Sequence, residues 1–267
     1  MDVFCRYKKN GDVRYGRVEG DEILTLDREP WYNGKETGFK ESVKKVCFLN
    51  PSEPKVIIGL GTSYRETWEG KKPPGSVRWF IKPPGSAASW NDDIILPSSL
   101  DEVKVEVELV IVIGREVKNI GISEAQDAIF GYSIGNDIGG TTNAYYRMLN
   151  ESSEHPENLL ATGLKICDRF APFGPFIFRD FEWFGRKRGL KIIDKEGNQR
   201  ILYENYTSGL LYQPEKIVSD ISKVLTLFPG DIIMTGTTKS FPAFPGETVE
   251  ASIEGMGVLI NKIVGAV

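Results

Sequence analysis

The run Val103-Lys-Val-Glu-Val-Glu-Leu-Val-Ile-Val-Ile-Gly114 constrains this chain more than any other. Valine and isoleucine are stiff at the first side-chain torsion and suit a pleated strand. Alternate side chains of a strand share a face. One face carries Val103, Val105, Val107, Leu109, Ile111 and Ile113; the other carries Lys104, Glu106, Glu108, Val110 and Val112. Glu106 and Glu108 therefore sit side by side, with Cα atoms roughly 7 Å apart, on a face that then turns apolar.

Two carboxylates on a semi-buried face repel each other and lose solvation. A cation between them relieves both costs, and hard oxygen ligands select Mg2+, Mn2+ or Ca2+ over zinc. The competing reading is a half-exposed strand with two solvated glutamates. A third ligand is offered by Asp137, where the apolar segment Gly131-Tyr-Ser-Ile-Gly-Asn-Asp137 opens into Gly139-Gly140. Asp137 also suits a plain turn cap.

Around this run the chain reads as β-rich, with strands outnumbering helices. Residues 3–8 and 13–26 form short strands separated by the tight-turn pairs Asn10-Gly11 and Gly20-Asp21. A helix is predicted near 36–48, with Phe39, Val43, Val46 and Cys47 on one face. Asn50-Pro-Ser-Glu-Pro54 reads as a linker. The expected division is a small N-terminal β-rich module, 1–50, and a catalytic domain, 51–267. In the latter, Lys55–Leu60 is a short strand, and 62–79 a polar Gly/Pro-rich segment suited to a lid or a surface loop. Ser123-Glu-Ala-Gln126 has capping-box form and starts a short helix. A hairpin follows near 189–205, then a helix near 214–226 with Ile217, Val218, Ile221, Val224 and Leu225 on one side. Two last strands flank Gly255-Met-Gly257.

Composition excludes several functions. The net charge of −4 and the lack of a long basic run argue against nucleic acid and anionic membrane as partners. No apolar stretch approaches the roughly 18 residues that span a bilayer. The N-terminus has no apolar signal core, so a cytoplasmic location is expected. Cys5, Cys47 and Cys167 lack metal or redox spacing and are expected as free thiols, with Cys167 a buried small hydrophobe rather than a nucleophile. His155 is the single histidine, which excludes multi-histidine zinc sites and disfavours a Ser-His-Asp triad.

Four blocks stand in a recognisable order: Glu106-Val-Glu108-Leu-Val-Ile-Val-Ile-Gly114; Gly131-Tyr-Ser-Ile-Gly-Asn-Asp137; Lys165-Ile-Cys-Asp168 with Pro172-Phe-Gly-Pro175; and Pro229-Gly-Asp231-Ile-Ile-Met-Thr-Gly-Thr237. Together with Lys82-Pro-Pro84 upstream and Ile253-Glu-Gly-Met-Gly257 downstream, they resemble the fumarylacetoacetate hydrolase superfamily over roughly residues 55–265. The resemblance implies an α+β, β-rich roll of mixed strands, usually a homodimer, with its site at one open end. It implies Glu106, Glu108 and Asp137 as metal ligands, with Mg2+ the expected ion and Mn2+ or Ca2+ the alternatives. It implies Lys165 as the active-site lysine, and Lys82, Thr235, Gly236 and Thr237 on the substrate side. The implied substrate is a small 2-oxo acid, which can chelate the ion through its keto and carboxylate oxygens. Backbone N–H groups around Thr235–Thr237 can hold its carboxylate.

Two departures shape the functional expectation. Family hydrolases typically carry N-Y-x-x-H-x-x-E after the first core strand; this chain has Ser63-Tyr-Arg-Glu-Thr67-Trp-Glu-Gly70. Threonine is no base near neutral pH, and Glu66 or Glu69 on the same segment is the candidate substitute, with Lys165 the proton donor near the substrate oxygen. After Asp137 the family often shows N-D-x-S-x-R-D, whereas here Thr141 stands at the arginine position and 143–160 is long and polar. The expectation is enolate chemistry of the lyase (2-keto-3-deoxy acid dehydratase) or tautomerase kind. The alternatives are a C–C hydrolase of acylpyruvate- or fumarylacetoacetate-like diketo acids, and a non-catalytic 2-oxo acid binder.

Overall fold

The structure is a computed structural model that describes residues 1–98, 100, 102–140 and 165–266. His155 and the polar segment 143–160 lie outside the described residues, as does Thr141.

The N-terminal strands are β1 (Asp2–Lys9), β2 (Asp12–Glu19), β3 (Glu22–Leu26), β4 (Glu36–Ser42) and β5 (Cys47–Leu49). Asn10 and Gly11 both take positive φ, as a two-residue hairpin with right-handed strand twist requires. The helix expected near 36–48 is not formed: those residues make β4, a short 3-10 turn at Val43–Lys45 and β5. The spacing of Phe39, Val43 and Val46 imitates a helical stripe. Thr37 and Phe39 are strand formers, however, and Gly38 takes φ +85°, outside the helical range. Ladder pairing of β4 with β3 settles the matter.

There follow β6 (Ile57–Gly61), β7 (Arg78–Lys82), β8 (Ala87–Ala88), β9 (Asp93–Ile95), β10 (Val103–Val105), β11 (Val107–Ile113), α1 (Ile122–Ala125) and β12 (Ile129–Asn136). After them come β13 (Ala171–Pro172), β14 (Phe176–Arg179), β15 (Lys187–Ile193), β16 (Gln199–Tyr206) and α2 (Pro214–Ser222). The last four are β17 (Ile232–Met234), β18 (Phe241–Ala243), β19 (Thr248–Ile253) and β20 (Gly257–Val264). Two helix expectations shift. The first helix is a single turn capped at Gly121, whose N–H donates to Glu124, so the cap lies two residues ahead of Ser123. The second ends at Ser222, leaving Val224 63% exposed rather than on the packed side.

A large mixed sheet runs β4-β3-β2-β1-β14-β12-β11-β17-β6-β7. The N-terminal strands enter it through the antiparallel β1–β14 pair. The expected linker is partly an anchor: Ser52 is buried and its hydroxyl donates to Gly230 O at 2.8 Å. A second sheet runs β16-β15-β19-β20-β9. Leu109, Ile111 and Ile113 of β11 join Leu190, Ile192, Val249, Ala251 and Leu259 of this second sheet in one buried cluster. Val110 and Val112, on the other face of β11, pack with Ile57, Ile232, Met234 and Phe173. Cover on both faces explains why β11 reads as an unbroken apolar run.

Candidate metal centre

The strand expected over Val103–Gly114 is broken at Glu106, and the break builds the site. Val103–Val105 pairs with β18 in a separate two-stranded sheet, whereas Val107–Ile113 pairs with β12 and β17. Between them the Glu106 N–H leaves the ladder and donates to the Asn136 side-chain carbonyl at 2.8 Å. The Asp137 N–H donates in turn to Glu106 O at 3.0 Å. The residue before the aspartate thus fixes the first glutamate, and the aspartate is fixed on it. On β11, Glu108 lies opposite Gly135, where a Cβ would stand 2.6 Å from a Val110 methyl, so the close approach of the two strands requires glycine.

Glu106, Glu108 and Asp137 each present a carboxylate oxygen, all within 4.8 Å of one another. Glu108 and Asp137 form the floor, and Glu106 the lip, its side chain 18% exposed. Two lysines answer them. Lys82, at the end of β7, is buried and donates to Asp137 Oδ1 at 2.6 Å and Ile138 O at 3.1 Å. Lys165 Nζ bridges Glu106 Oε1 at 2.9 Å and Asp137 Oδ2 at 3.0 Å. Lys82 was expected on the substrate side; it stands beneath the carboxylates, engaged with a candidate ligand.

The titrations follow from this crowding. Burial pushes the Glu108 carboxyl well above the ordinary range, and the charges of Asp137 and Glu106 add to the effect. Glu106 is raised as well, chiefly by burial against the opposing pull of Lys165. Burial acts against Asp137 too, but Lys165 and Lys82 outweigh it and hold the group ionised, below its usual value. Burial lowers Lys82. For Lys165 burial is overcome by Asp137 and Glu106, so its ammonium is retained.

The donor set fits a hard divalent cation. An ion bound at roughly 2.1–2.4 Å reaches ligand atoms up to about 4.2–4.8 Å apart, and these oxygens all lie within 4.8 Å of one another. Glu108 Oε1 is buried and has no hydrogen-bond partner among the described residues, a costly state that a cation would relieve. Its other oxygen accepts the Gly236 N–H at 2.7 Å.

The Thr235–Thr237 turn lies beside this cluster, but its donors are partly committed. The Thr235 N–H and hydroxyl both donate to Leu109 O, and the Gly236 N–H to Glu108. Thr237 Oγ1 is buried and has no partner among the described residues. Gly236 takes φ +85°, and a Cβ there would stand 2.1 Å from Ser63 Oγ. Glu66 and Glu69, the candidate proton carriers of the 62–79 segment, are exposed. The Glu66 carboxylate accepts from Asn205 Nδ2 at 3.1 and 3.3 Å, and neither glutamate contacts the carboxylate cluster. Cys167 is half-buried rather than buried, and burial raises its thiol pKa, which argues against a nucleophile.

Sequence reasoning passed over Arg188, Tyr64 and Tyr203, which pack behind the turn. Arg188 donates to Val107 O at 3.1 Å and Gly236 O at 3.2 Å and lies over the Tyr64 ring. Arg186-Lys-Arg188 reads as an ordinary solvated basic stretch, and nothing local shows that its last member turns inward.

Comparison with known proteins bears on the family and the fold. Residues 55–264 match the model of the fumarylacetoacetate (FAA) hydrolase C-terminal family, and residues 4–51 match an Rv2993c-like N-terminal family. An uncharacterised protein of Pyrococcus abyssi is 34% identical over 79% of this chain and 91% of its own length. A mitochondrial oxaloacetate tautomerase of Rattus norvegicus is 29% identical over 82% of this chain and 70% of its own length. The crystal structure of a 5-carboxymethyl-2-hydroxymuconate delta-isomerase from Mycobacterium smegmatis superposes with a TM-score of 0.85 at 29% identity, covering 99% of this chain and 100% of that one.

Proposed function

The chain belongs to the fumarylacetoacetate hydrolase family, and from that premise we propose that it is a divalent-metal tautomerase or isomerase of a small 2-oxo acid. One observation carries the reading: three carboxylates cluster with two lysines, and among the described residues one oxygen of Glu108, itself buried, has no hydrogen-bond partner. When bound, the cation supplies Lewis acidity to the oxygens of a chelating 2-oxo acid. Glu106, Glu108 and Asp137 would hold it. Mg2+ is the expected ion, and the same oxygens accept Mn2+ or Ca2+.

The other steps belong to the chain. Lys165, at the lip beside Glu106, keeps its proton and offers positive charge where an enolate oxygen develops. Lys82 holds Asp137 ionised and in place from below. The Thr237 hydroxyl, without a partner among the described residues, would receive the substrate carboxylate. A keto–enol shift moves one proton between carbon and oxygen and needs no activated water. Thr67, where family hydrolases keep histidine, cannot activate water, and among the described residues this reading gives the proton transfer to a carboxylate of the 62–79 segment, Glu66 or Glu69. The two relatives with named isomerase or tautomerase activity support the same class of reaction.

The test is a pair of measurements on the whole chain. Calorimetric titration of Mg2+ with oxalate should show metal-dependent binding that Glu108→Ala abolishes. Decay of the enol absorbance of oxaloacetate should then accelerate with metal. Release of pyruvate from an acylpyruvate, with enol decay unaffected, would move the chain to the hydrolase reading. Tight oxalate binding with neither reaction would make it a binding protein.

A further inference from the structure

Among the described residues, five buried side-chain polar atoms lack a hydrogen-bond partner: Arg6 Nε, Tyr64 Oη, Glu108 Oε1, Arg188 Nε and Thr237 Oγ1. Four of them belong to residues gathered about one turn. Glu108 accepts the Gly236 N–H, Thr237 follows Gly236, and Arg188 donates to Gly236 O. The Arg188 guanidinium lies 4.1 Å from the centre of the Tyr64 ring. Buried polar atoms are ordinarily satisfied, and a concentration of exceptions in one place calls for a reason.

Arg188 is the unusual member. It sits on β15, is fully buried, and among the described residues has no carboxylate at ion-pair distance. A long apolar side chain would fill that space between the sheets at lower cost than an unpaired guanidinium. What the guanidinium alone can do is bridge. Its Nη1 donates to Val107 O at 3.1 Å and to Gly236 O at 3.2 Å. Val107 immediately precedes Glu108, and Gly236 holds the Glu108 carboxylate through its N–H at 2.7 Å. One nitrogen therefore ties the backbone that carries Glu108 to the turn that orients it.

We infer that Arg188 is a positioning residue for Glu108, fixing the Thr235–Thr237 turn so that the Gly236 N–H engages one carboxylate oxygen and the other stays open to a cation. The inference rests on the metal-dependent reading proposed above. The tyrosine rings give the charge a polarisable lining that a carboxylate partner would otherwise supply: Tyr64 lies on one ring contact and Tyr203 on another, 5.9 Å away. An acidic partner there would neutralise the clamp and compete for it.

The test uses Mn2+ alone as the probe, titrated into the full-length protein by calorimetry, with thermal unfolding measured on the same samples. Wild type is compared with R188K and R188M. R188M should weaken Mn2+ binding by about ten-fold or more, in the range of lost outer-shell partners. R188K should recover part of this, to about three-fold below wild type, because an ammonium keeps the charge but not the planar fork. A space-filling role predicts instead that R188M, the well-packed neutral variant, binds like wild type. Wild-type affinity in either folded variant overturns the inference. Should R188M fail to fold, R188K decides by the same criterion. Absence of Mn2+ binding in the wild type overturns the metal-dependent reading and this inference with it, whereas binding in the wild type with no effect of the variants overturns the inference alone.

Discussion

On the outer strands β2–β4, Lys40 meets Glu22 at 2.8 Å, and beside them Lys44 meets Asp21 at 3.1 Å, with all four side chains more than half exposed. At the junction of β11 and β12, Lys82 meets Asp137 at 2.6 Å with neither side chain more than 2% exposed. The residue types and distances are alike, and the energetics are not. Water screens the outer pairs, and holding two long side chains together costs entropy, so such pairs contribute little. The inner pair has no water to fall back on: each charge depends on its partner. An ion pair is thus informative about function where it is buried and where its neighbours are left incomplete.

The contrast can be broken by substitution. Lys82→Met should have the largest effect, destabilising the fold by about 3–5 kcal/mol in urea unfolding, because it strands Asp137 in the interior. A cost below about 1 kcal/mol would place this pair with the surface ones. Next, Glu108→Gln should weaken Mn2+ binding by more than about 100-fold, beyond the loss expected for an outer-shell partner. The same variant should raise the melting temperature of the metal-free protein by about 2–4 °C, the span that about 1 kcal/mol gives in a domain of this size.

A pH titration sharpens the comparison further. The Glu108 carboxyl is raised in the fold, so its protonated form favours folding. That stabilisation is complete below the unfolded value near ~4.3 and is lost as pH rises through the higher folded value. Asp137 is lowered in the fold and acts oppositely: its contribution is present above the unfolded value and lost as pH falls through the folded one. In chelator-treated protein the melting temperature should therefore rise as pH is lowered from neutrality towards about 5. Glu108→Gln should flatten that rise, and an unchanged slope would mean that Glu108 is not the group responsible. The smallest effect belongs outside: Lys44→Ala should leave the melting temperature within about 1 °C of wild type.

The candidate ligands were legible because the information is local. Alternation along 103–114 marks Glu106 and Glu108 as neighbours on one side of the chain, and Asp137 ends an apolar segment before a glycine pair. The helix misread at 36–48 shows the limit of the same method. A stripe of Phe39, Val43 and Val46 satisfies a helical period, and only the open edge of β3 selects the strand. The break at Glu106 was equally hidden, since it depends on the Asn136 side chain 30 residues away.

The sequence by itself determined the β-rich class, the face on which two glutamates meet, and the family to which the chain belongs. These follow from side-chain periodicity and from ordered blocks that a reader meets along the chain. The tertiary structure alone decided that Lys82 lies under Asp137, that the Gly236 N–H engages Glu108 instead of standing open for a substrate carboxylate, and that Arg188 bridges Val107 and Gly236. Those partners stand 55, 128 and 48 residues apart. Their pairing is dictated by the cost of burying a charge or a polar group unmatched, a cost that exists only once the sheets have closed and water has left.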